Sequence, residues 1–468
     1  MTEWDVVVVG GGLAGLSAAV ASAERGARVA VLERGSERAY PCNSRVAMGF
    51  LTIAGLDSRS KPELLRAAID RTTGGEADPA LADALAQDAG AAFDWLRRQG
   101  ARFIQFGAPG ARKPVLAPLV QLRPGLNWQG RGADVMMRRL EARLEAFGGS
   151  LLRGHAAIEL SMAADRCTGV IADTPRGRTA FAARAVVLAD GGFQANPAQV
   201  ERFAGARPGT ILQRNTGSGR GQGLRMAEAA GAGIVATTQF YGHVQSRDAM
   251  TNDRLWPYPV LDIPITAGIA VDAAGRRFTD EGLGGIAVAN AIAALPDPLA
   301  SLAVFDQAIW EGPSRQLLVA PNPNLERAGG TLHRADDLAT LARLAGIDPA
   351  GLLDTVGAYN EAIGAGTAQS LPVPRSSTFA KPMPILKAPF YAAPVCAGIT
   401  YTMGGIAIDE HARVRNRNGD VIPGLFAAGS TTGGHEGGSL SGYTGGLTKA
   451  AVFGLRAAAS IARAAGLE

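Results

Sequence analysis

Three glycines, Gly10, Gly12 and Gly15, follow the apolar run Val6-Val7-Val8-Val9 and open a stretch with helical spacing. A second apolar run, Val29-Ala30-Val31-Leu32, then ends in an acid, Glu33. This order of strand, glycine turn, helix, strand and acid has one chemistry that requires it, the binding of a dinucleotide. Gly10 permits the tight turn, Gly12 lets the backbone approach a pyrophosphate, and Gly15 lets helix and strand pack closely. The pyrophosphate rests on the helix N-terminus, where free N–H groups and the dipole favour anions. Glu33 stands where a carboxylate takes the ribose hydroxyls of an adenosine.

Further segments recur along the chain. Pro41-Cys42-Asn43-Ser44-Arg45-Val46-Ala47-Met48-Gly49 follows the second strand, and Ala189-Asp190-Gly191-Gly192 follows the apolar run Ala185–Leu188. Gly429-Ser430 and Gly445-Gly446-Leu447 come near the end. In this order the segments resemble the flavoprotein family of fumarate reductases, succinate dehydrogenase flavoprotein subunits, 3-ketosteroid dehydrogenases and tricarballylate dehydrogenase. The resemblance runs nearly the whole length. It implies FAD as the cofactor and a Rossmann-like α/β fold with an inserted α+β capping domain.

By this resemblance Asn43, Ser44, Ala47 and Gly49 wrap the pyrophosphate and pass the flavin ring, and Arg45 reaches a phosphate or bound anion. Leu13, Ala14, Arg34, Ala157, Ala189, Asp190 and Gly191 join the cofactor set. Ser430 replaces the family's usual glutamate after Gly429. Gly445, Gly446 and Leu447 match a helix N-terminus facing the flavin pyrimidine. Succinate dehydrogenase subunits carry a histidine in the early segment that bonds to the flavin; this chain has none there, so non-covalent FAD is expected.

The substrate motifs depart from the fumarate reductase pattern. Arg277-Phe278-Thr279-Asp280-Glu281 is present, but Gly285 stands where the proton-delivering arginine belongs. The histidine-rich segment reads Thr400-Tyr401-Thr402-Met403-Gly404-Gly405, and the clamp-arginine segment reads Gly442-Tyr443-Thr444-Gly445-Gly446. Two phenols, Tyr401 and Tyr443, thus replace charged residues, and ketosteroid dehydrogenases also work with tyrosines. The reaction this implies is oxidation of a CH–CH unit beside a carbonyl, or its reverse. One group polarises the carbonyl, and a tyrosinate-like base, activated by a cation or by a hydrogen bond to its anion, takes the α-proton. His243 is a further candidate acid or base. Tyr241, Arg254, Trp256 and His435 are candidate substrate contacts, with Glu436 beside His435 in a stretch longer than in fumarate reductases. Two alternatives stay open: a polycarboxylate desaturase like tricarballylate dehydrogenase, with Arg45 and Arg254 holding anions, and a non-catalytic flavin-binding protein.

Around these residues the chain must supply positioning elements. The 468 residues, 47% hydrophobic and 19% charged, suit a soluble protein with two cores. A net charge of +4 from 46 basic and 42 acidic residues gives no ground for nucleic-acid binding. Three scattered cysteines give neither a disulfide framework nor a metal site. No apolar run reaches membrane-spanning length. With the first strand starting at residue 5, a signal peptide has no room, and a cytoplasmic protein is expected. Helices are expected over 62–105, 132–147, 286–294, 305–309, 336–344 and 350–363. Strands are expected near 150–152, 157–162, 168–173 and 185–188, the second and third of them as a small hairpin, and a further hairpin turning on Asp272–Gly275. A glycine loop, Thr216–Gly223, opens another helix. The division is 1–235 and 376–468 for the FAD-binding domain and 236–375 for the cap. With no second dinucleotide fingerprint, a small carbonyl or carboxylate substrate and a separate electron donor or acceptor are the expected partners.

Overall fold

A computed structural model describes residues 4–107, 112–120, 123–236, 238–316 and 318–466. Its centre is a sheet in which Val6–Val9 pairs in parallel with Val29–Leu32 on one side and Ala185–Leu188 on the other. Val421–Ala427 and Ser150–Arg153 extend it outward, again in parallel. The three inner strands, Val6–Val9, Val29–Leu32 and Ala185–Leu188, are continuous apolar runs, and every one of their side chains is buried. The helix Leu13–Ala23 is buried along its whole length, wedged between the sheet and the C-terminal helix Gly446–Ala465. Small residues make that packing possible: a Cβ on Gly15 would sit 2.0 Å from Gly10 O, and one on Gly454 would sit 2.4 Å from Ala14 O.

The expected hairpin forms from Ala156–Ala163 and Arg166–Thr174, antiparallel, and continues into the long strand Gly177–Leu188. Helices cover Pro62–Thr73 and Pro79–Arg98, the second capped by Asp78.

A second sheet is built on one long strand, Phe390–Thr402, which pairs with Ile211–Gln213, Phe240–Ser246, Leu302–Asp306 and His333–Ala335. Ile269–Val271 pairs with Leu302–Val304 at its edge. The sheet therefore draws strands from both sides of the 236–375 block. The architecture is the expected α/β one, a Rossmann-like sheet with a second α+β layer.

Three local expectations change. Phe103–Phe106 forms a strand, paired with Lys113–Leu116, where the end of a helical stretch is expected. Residues 302–306 are a strand, and the helix begins only at Gln307, where Asp306 caps it by accepting from Ile309 N at 3.0 Å. The expected hairpin at Asp272–Gly275 makes its turn, with Gly275 N donating to Asp272 O at 3.0 Å, but its return leg keeps a single bridge, Val271 to Arg277. Arg277 is drawn away by its buried ion pair with Glu281. Among the described residues no helix is long and apolar enough to cross a membrane. The three cysteines are free and buried, and among the described residues no group of ligating side chains could hold a metal.

Candidate active site

A single cavity of about 1080 Å³ runs from the first glycine turn to the second sheet. At one end lie Gly10, Gly12, Leu13 and Ala14, with Ser44 facing them. Gly10 has φ +101°, and a Cβ there would meet Ala189 O at 2.6 Å, so only glycine makes this turn. Ser44 Oγ accepts from Leu13 N at 3.0 Å. Glu33 and Arg34 line the same end with Ala157, Ala189, Asp190 and Gly191. The Glu33 carboxylate accepts from Gly11 N at 2.9 Å and Gly35 N at 2.7 Å, and burial raises its pKa. Asp190 accepts from Gly223 N at 2.8 Å, which anchors the glycine loop, and desolvation pushes its carboxyl up to about 6. Gln222 braces this loop by donating to Ile158 O at 3.1 Å.

Farther along, Asn43, Ala47 and Gly49 form one wall, and Gly429, Ser430, Gly446 and Leu447 form the other. Asn43 donates to Thr400 O at 2.9 Å and accepts from Thr216 N at 3.2 Å, so it ties the two sheets together beside the cavity. An elongated cavity, a glycine cradle at a helix N-terminus and an acid at the second strand's end fit FAD.

Three members of the expected cofactor set lie elsewhere. Arg45 is fully buried and pairs with Asp134 at 2.7 Å and with Glu141, its guanidinium 4.6 Å from the centre of the Tyr40 ring. Its charge is neutralised inside the fold, so it reaches neither phosphate nor substrate anion. Gly15 serves the packing described above. Gly445 lets the chain cross Thr52, whose carbonyl a Cβ would meet at 2.0 Å.

At the other end three phenols cluster. Tyr241 and His243 alternate along the strand Phe240–Ser246 and so share a face. Tyr241 pairs in register with Tyr401, and a bulge follows at Gly242. The Tyr241 and Tyr443 rings stack with centroids 4.0 Å apart, and Tyr401 lies 5.2 Å from Tyr241. All three line the cavity with His243 and Trp256.

Behind each end of the cluster stands a carboxylate. Tyr401 Oη donates to Glu436 at 2.9 Å. Glu436 also accepts from Thr444 N at 3.0 Å and Thr444 Oγ1 at 3.1 Å, and forms an ion pair with Lys449, both side chains being wholly buried. Burial first, and Glu436 second, raise the Tyr401 pKa well above the usual phenol range. Tyr443 Oη accepts from Gly446 N at 3.0 Å, yet burial still pushes it up to about 12. That helix amide is committed to a phenol. On the far side, His243 Nδ1 meets Asp262 Oδ2 at 2.5 Å, and His243 Nε2 meets Tyr241 Oη at 3.1 Å. A proton on Nδ1, held by the carboxylate, leaves Nε2 to accept from Tyr241. Gly285 makes this possible, because a Cβ there would come within 2.2 Å of Asp262 Cγ.

Two candidate substrate contacts do not reach the cavity. Arg254 is exposed on a short turn and donates to Arg327 O at 2.9 Å. His435 is buried against Phe453, bonded to Thr432 at 3.2 Å, and burial lowers its pKa well below the usual value, which keeps it neutral. Its neighbour Glu436 is the residue that meets a cavity phenol. Asp262, Lys449 and Arg214 were not singled out from sequence. They carry no motif of their own and become visible only through contacts with distant segments.

The family model described as FAD binding domain matches residues 5–445, and the chain belongs to that family. It is an FAD-dependent oxidoreductase. It is 28% identical over 462 residues to a fumarate reductase (cytochrome) of Shewanella frigidimarina, covering 92% of this chain and 72% of that one. It is 27% identical over 484 residues to a urocanate reductase of Eggerthella lenta, covering 98% and 75%. The fold matches the crystal structure of 3-ketosteroid-Δ4-(5α)-dehydrogenase from Rhodococcus jostii RHA1 with 4-androstene-3,17-dione, with a TM-score of 0.75 at 23% identity over 98% of this chain and 97% of that one.

The histidines lining the cavity are His155 and His243, and neither lies in the Pro41–Gly49 segment. Acid precipitation of the purified yellow protein is therefore expected to release intact FAD to the supernatant. Flavin retained in the washed pellet would contradict this.

Proposed function

We propose that this enzyme oxidises a CH–CH unit beside a carbonyl or carboxyl group, or reduces the corresponding C=C, with Tyr401 and Tyr443 handling proton and carbonyl. The observation that carries this is the phenol cluster at the wall of the FAD cavity, backed by Glu436. The relatives' names point the same way, since fumarate and urocanate are both unsaturated acids.

The hydrogen bonds divide the work. Tyr443 Oη already accepts from Gly446 N. Its own hydrogen remains to donate to the substrate's carbonyl oxygen, which acidifies the α-hydrogen. Tyr401 instead gives its hydrogen to Glu436. Its oxygen takes the α-proton as its own proton passes to the Glu436 carboxylate: the C–H bond breaks, a phenol O–H forms, and a carboxyl O–H forms behind it. This replaces the expected resident tyrosinate. A carboxylate beside a buried phenol holds the proton on, so the phenol works as a relay. FAD, when bound, supplies the two-electron chemistry by taking or giving the β-hydrogen as hydride. His243 positions Tyr241, and Asp262 positions His243. The electrons' other partner is a separate donor or acceptor.

Fumarate itself is poorly served. Gly285, Tyr401 and Tyr443 occupy the positions of the charged residues expected in fumarate reductases, and the space beside Gly285 belongs to Asp262. A non-catalytic flavin protein would have no need of a buried carboxylate, Glu436, behind a cavity phenol.

Anaerobic titration of the oxidised holoprotein with saturated ketones and acids, and of the dithionite-reduced protein with their unsaturated counterparts, tests the reading. Bleaching or reoxidation of the flavin by one pair supports it, and silence toward all of them contradicts it. With the responsive compound, Tyr401→Phe and Tyr443→Phe should each keep the FAD spectrum and slow flavin reduction roughly 10²–10⁴-fold. Wild-type rates in both variants would move the proton chemistry to His243. Fumarate turnover should lie at least about 100-fold below that of fumarate reductases, the usual cost of losing one essential charge-stabilising donor. Fumarate turnover at ordinary fumarate-reductase rates would show that the replacements do not matter.

A further inference from the structure

Arg214 directly follows the short strand Ile211–Gln213 and is 7% exposed in the cavity wall. Its backbone N donates to Ile399 O at 2.8 Å. Nε donates to Pro257 O at 3.1 Å and Nη1 to Thr400 Oγ1 at 3.0 Å. The guanidinium carbon lies 5.0 Å from the centre of the Tyr258 ring. Three rigid contacts therefore hold it between the second sheet and the Trp256–Pro259 segment, one residue from Tyr401. Among the described residues no carboxylate pairs with it, and its Nη2 has no hydrogen-bond partner.

This is unusual within the chain. The buried Arg45 has Asp134 and Glu141, and the buried Arg375 has Glu281 at 3.6 Å. Arg131 is buried without an acid, but it is turned to Val46 O and Met48 Sδ and does not line the cavity. A buried guanidinium is costly unless an anion joins it, and its planar fork matches a carboxylate. Other cations line the cavity, but Arg34, Arg220 and Arg225 are exposed at the Glu33 and glycine-loop end, and Lys113 is half-buried on the strand Lys113–Leu116. Among the described residues Arg214 is the one buried arginine or lysine lining the cavity. The surfaces sharing its part of the molecule are apolar and flat: Trp256, Pro257, Tyr258, Val260 and the stacked Tyr241 and Tyr443.

We infer that Arg214 binds a carboxylate of the substrate, and that the substrate is an apolar, largely planar monocarboxylate rather than a dicarboxylate. The inference rests on the reading that this cavity holds the substrate, and it assigns the anchor that the two phenols do not supply. A pyrophosphate is already provided for at the opposite end, by the glycine turn and the N-terminus of Leu13–Ala23.

Benzoate, benzamide and terephthalate serve as probes, read by perturbation of the flavin absorbance of the holoprotein. Benzoate is expected to bind the wild type roughly 10–100-fold more tightly than benzamide, its neutral isostere. Terephthalate should gain nothing over benzoate. Arg214→Met should abolish the preference without loss of FAD, and Arg214→Lys should retain part of it. Equal binding of benzoate and benzamide, no perturbation by benzoate, a preference for terephthalate, or an intact preference in Arg214→Met would each overturn the inference. So would loss of FAD from Arg214→Met and Arg214→Lys alike, which would give the residue to the cofactor. The anchor is read from benzoate binding to the Arg214 variants and the tyrosine chemistry from flavin reduction in the Tyr401→Phe and Tyr443→Phe proteins, so failure of one and failure of the other give different patterns.

Discussion

The ion pair of Lys449 with Glu436 is sealed from solvent, and much of the candidate site hangs from it. Lys449 lies in the first turn of the C-terminal helix, while Glu436 lies in the loop that follows Gly433-Gly434. Two buried charges are tolerable only when the remaining lone pairs and protons are satisfied. Here Thr444 supplies both its N–H and its hydroxyl, and Tyr401 supplies the last donor. One carboxylate thus fixes the helix that walls the cavity, the loop carrying Tyr443, and the end of the strand Phe390–Thr402. Removing Lys449 alone would leave Glu436 buried and unpaired, a loss of about 3–5 kcal/mol. The same carboxylate holds the proton on Tyr401 at rest and is positioned to receive it.

A second carboxylate works through shape. Asp262 occupies the space that a side chain on Gly285 would need. From there it orients His243, which in turn orients Tyr241. The absence of one side chain at Gly285 therefore makes room for a hydrogen-bonded chain that runs from Asp262 through His243 to the stacked phenols. Small residues elsewhere act in the same way, by letting segments approach: Gly242 passes Gly398 O and Gly446 passes the Tyr401 ring. Charge is spent sparingly in this part of the cavity, which is why an uncompensated Arg214 stands out.

How much of this the sequence reveals depends on how local each requirement is. Gly10, Gly12 and Glu33 answer to their own strand–turn–helix unit, so their spacing alone announces a dinucleotide site. The strand–helix–strand unit of residues 4–33 and the 156–174 hairpin were legible for the same reason, since apolar periodicity and turn residues act within one segment. The helix expected at 305–309 was misplaced because Val304 and Phe305 are equally at home in a buried strand, and the pairing partner Tyr391 is remote in sequence. Arg45 looked like an anion ligand beside Ser44, yet its partners Asp134 and Glu141 come from a helix much later in the chain. Glu436, Asp262 and Arg214 acquire meaning only from long-range contacts, and no short motif encodes those. Tyr401 and Tyr443 were visible as departures from a family pattern, but their hydrogen bonds, on which the proposed division into acid and relay rests, were not.

The central claim is that Glu436 receives a proton through Tyr401. The most direct measurement is the anaerobic rate of flavin reduction by substrate in the double variant Glu436→Gln/Lys449→Met. Removing both charges together avoids stranding either one, and glutamine still offers an oxygen to Tyr401. The account predicts an unchanged FAD spectrum and thermal midpoint within a few degrees of wild type, with flavin reduction slowed roughly 10²–10⁴-fold. Flavin reduction at the wild-type rate in that folded, FAD-loaded protein would contradict it.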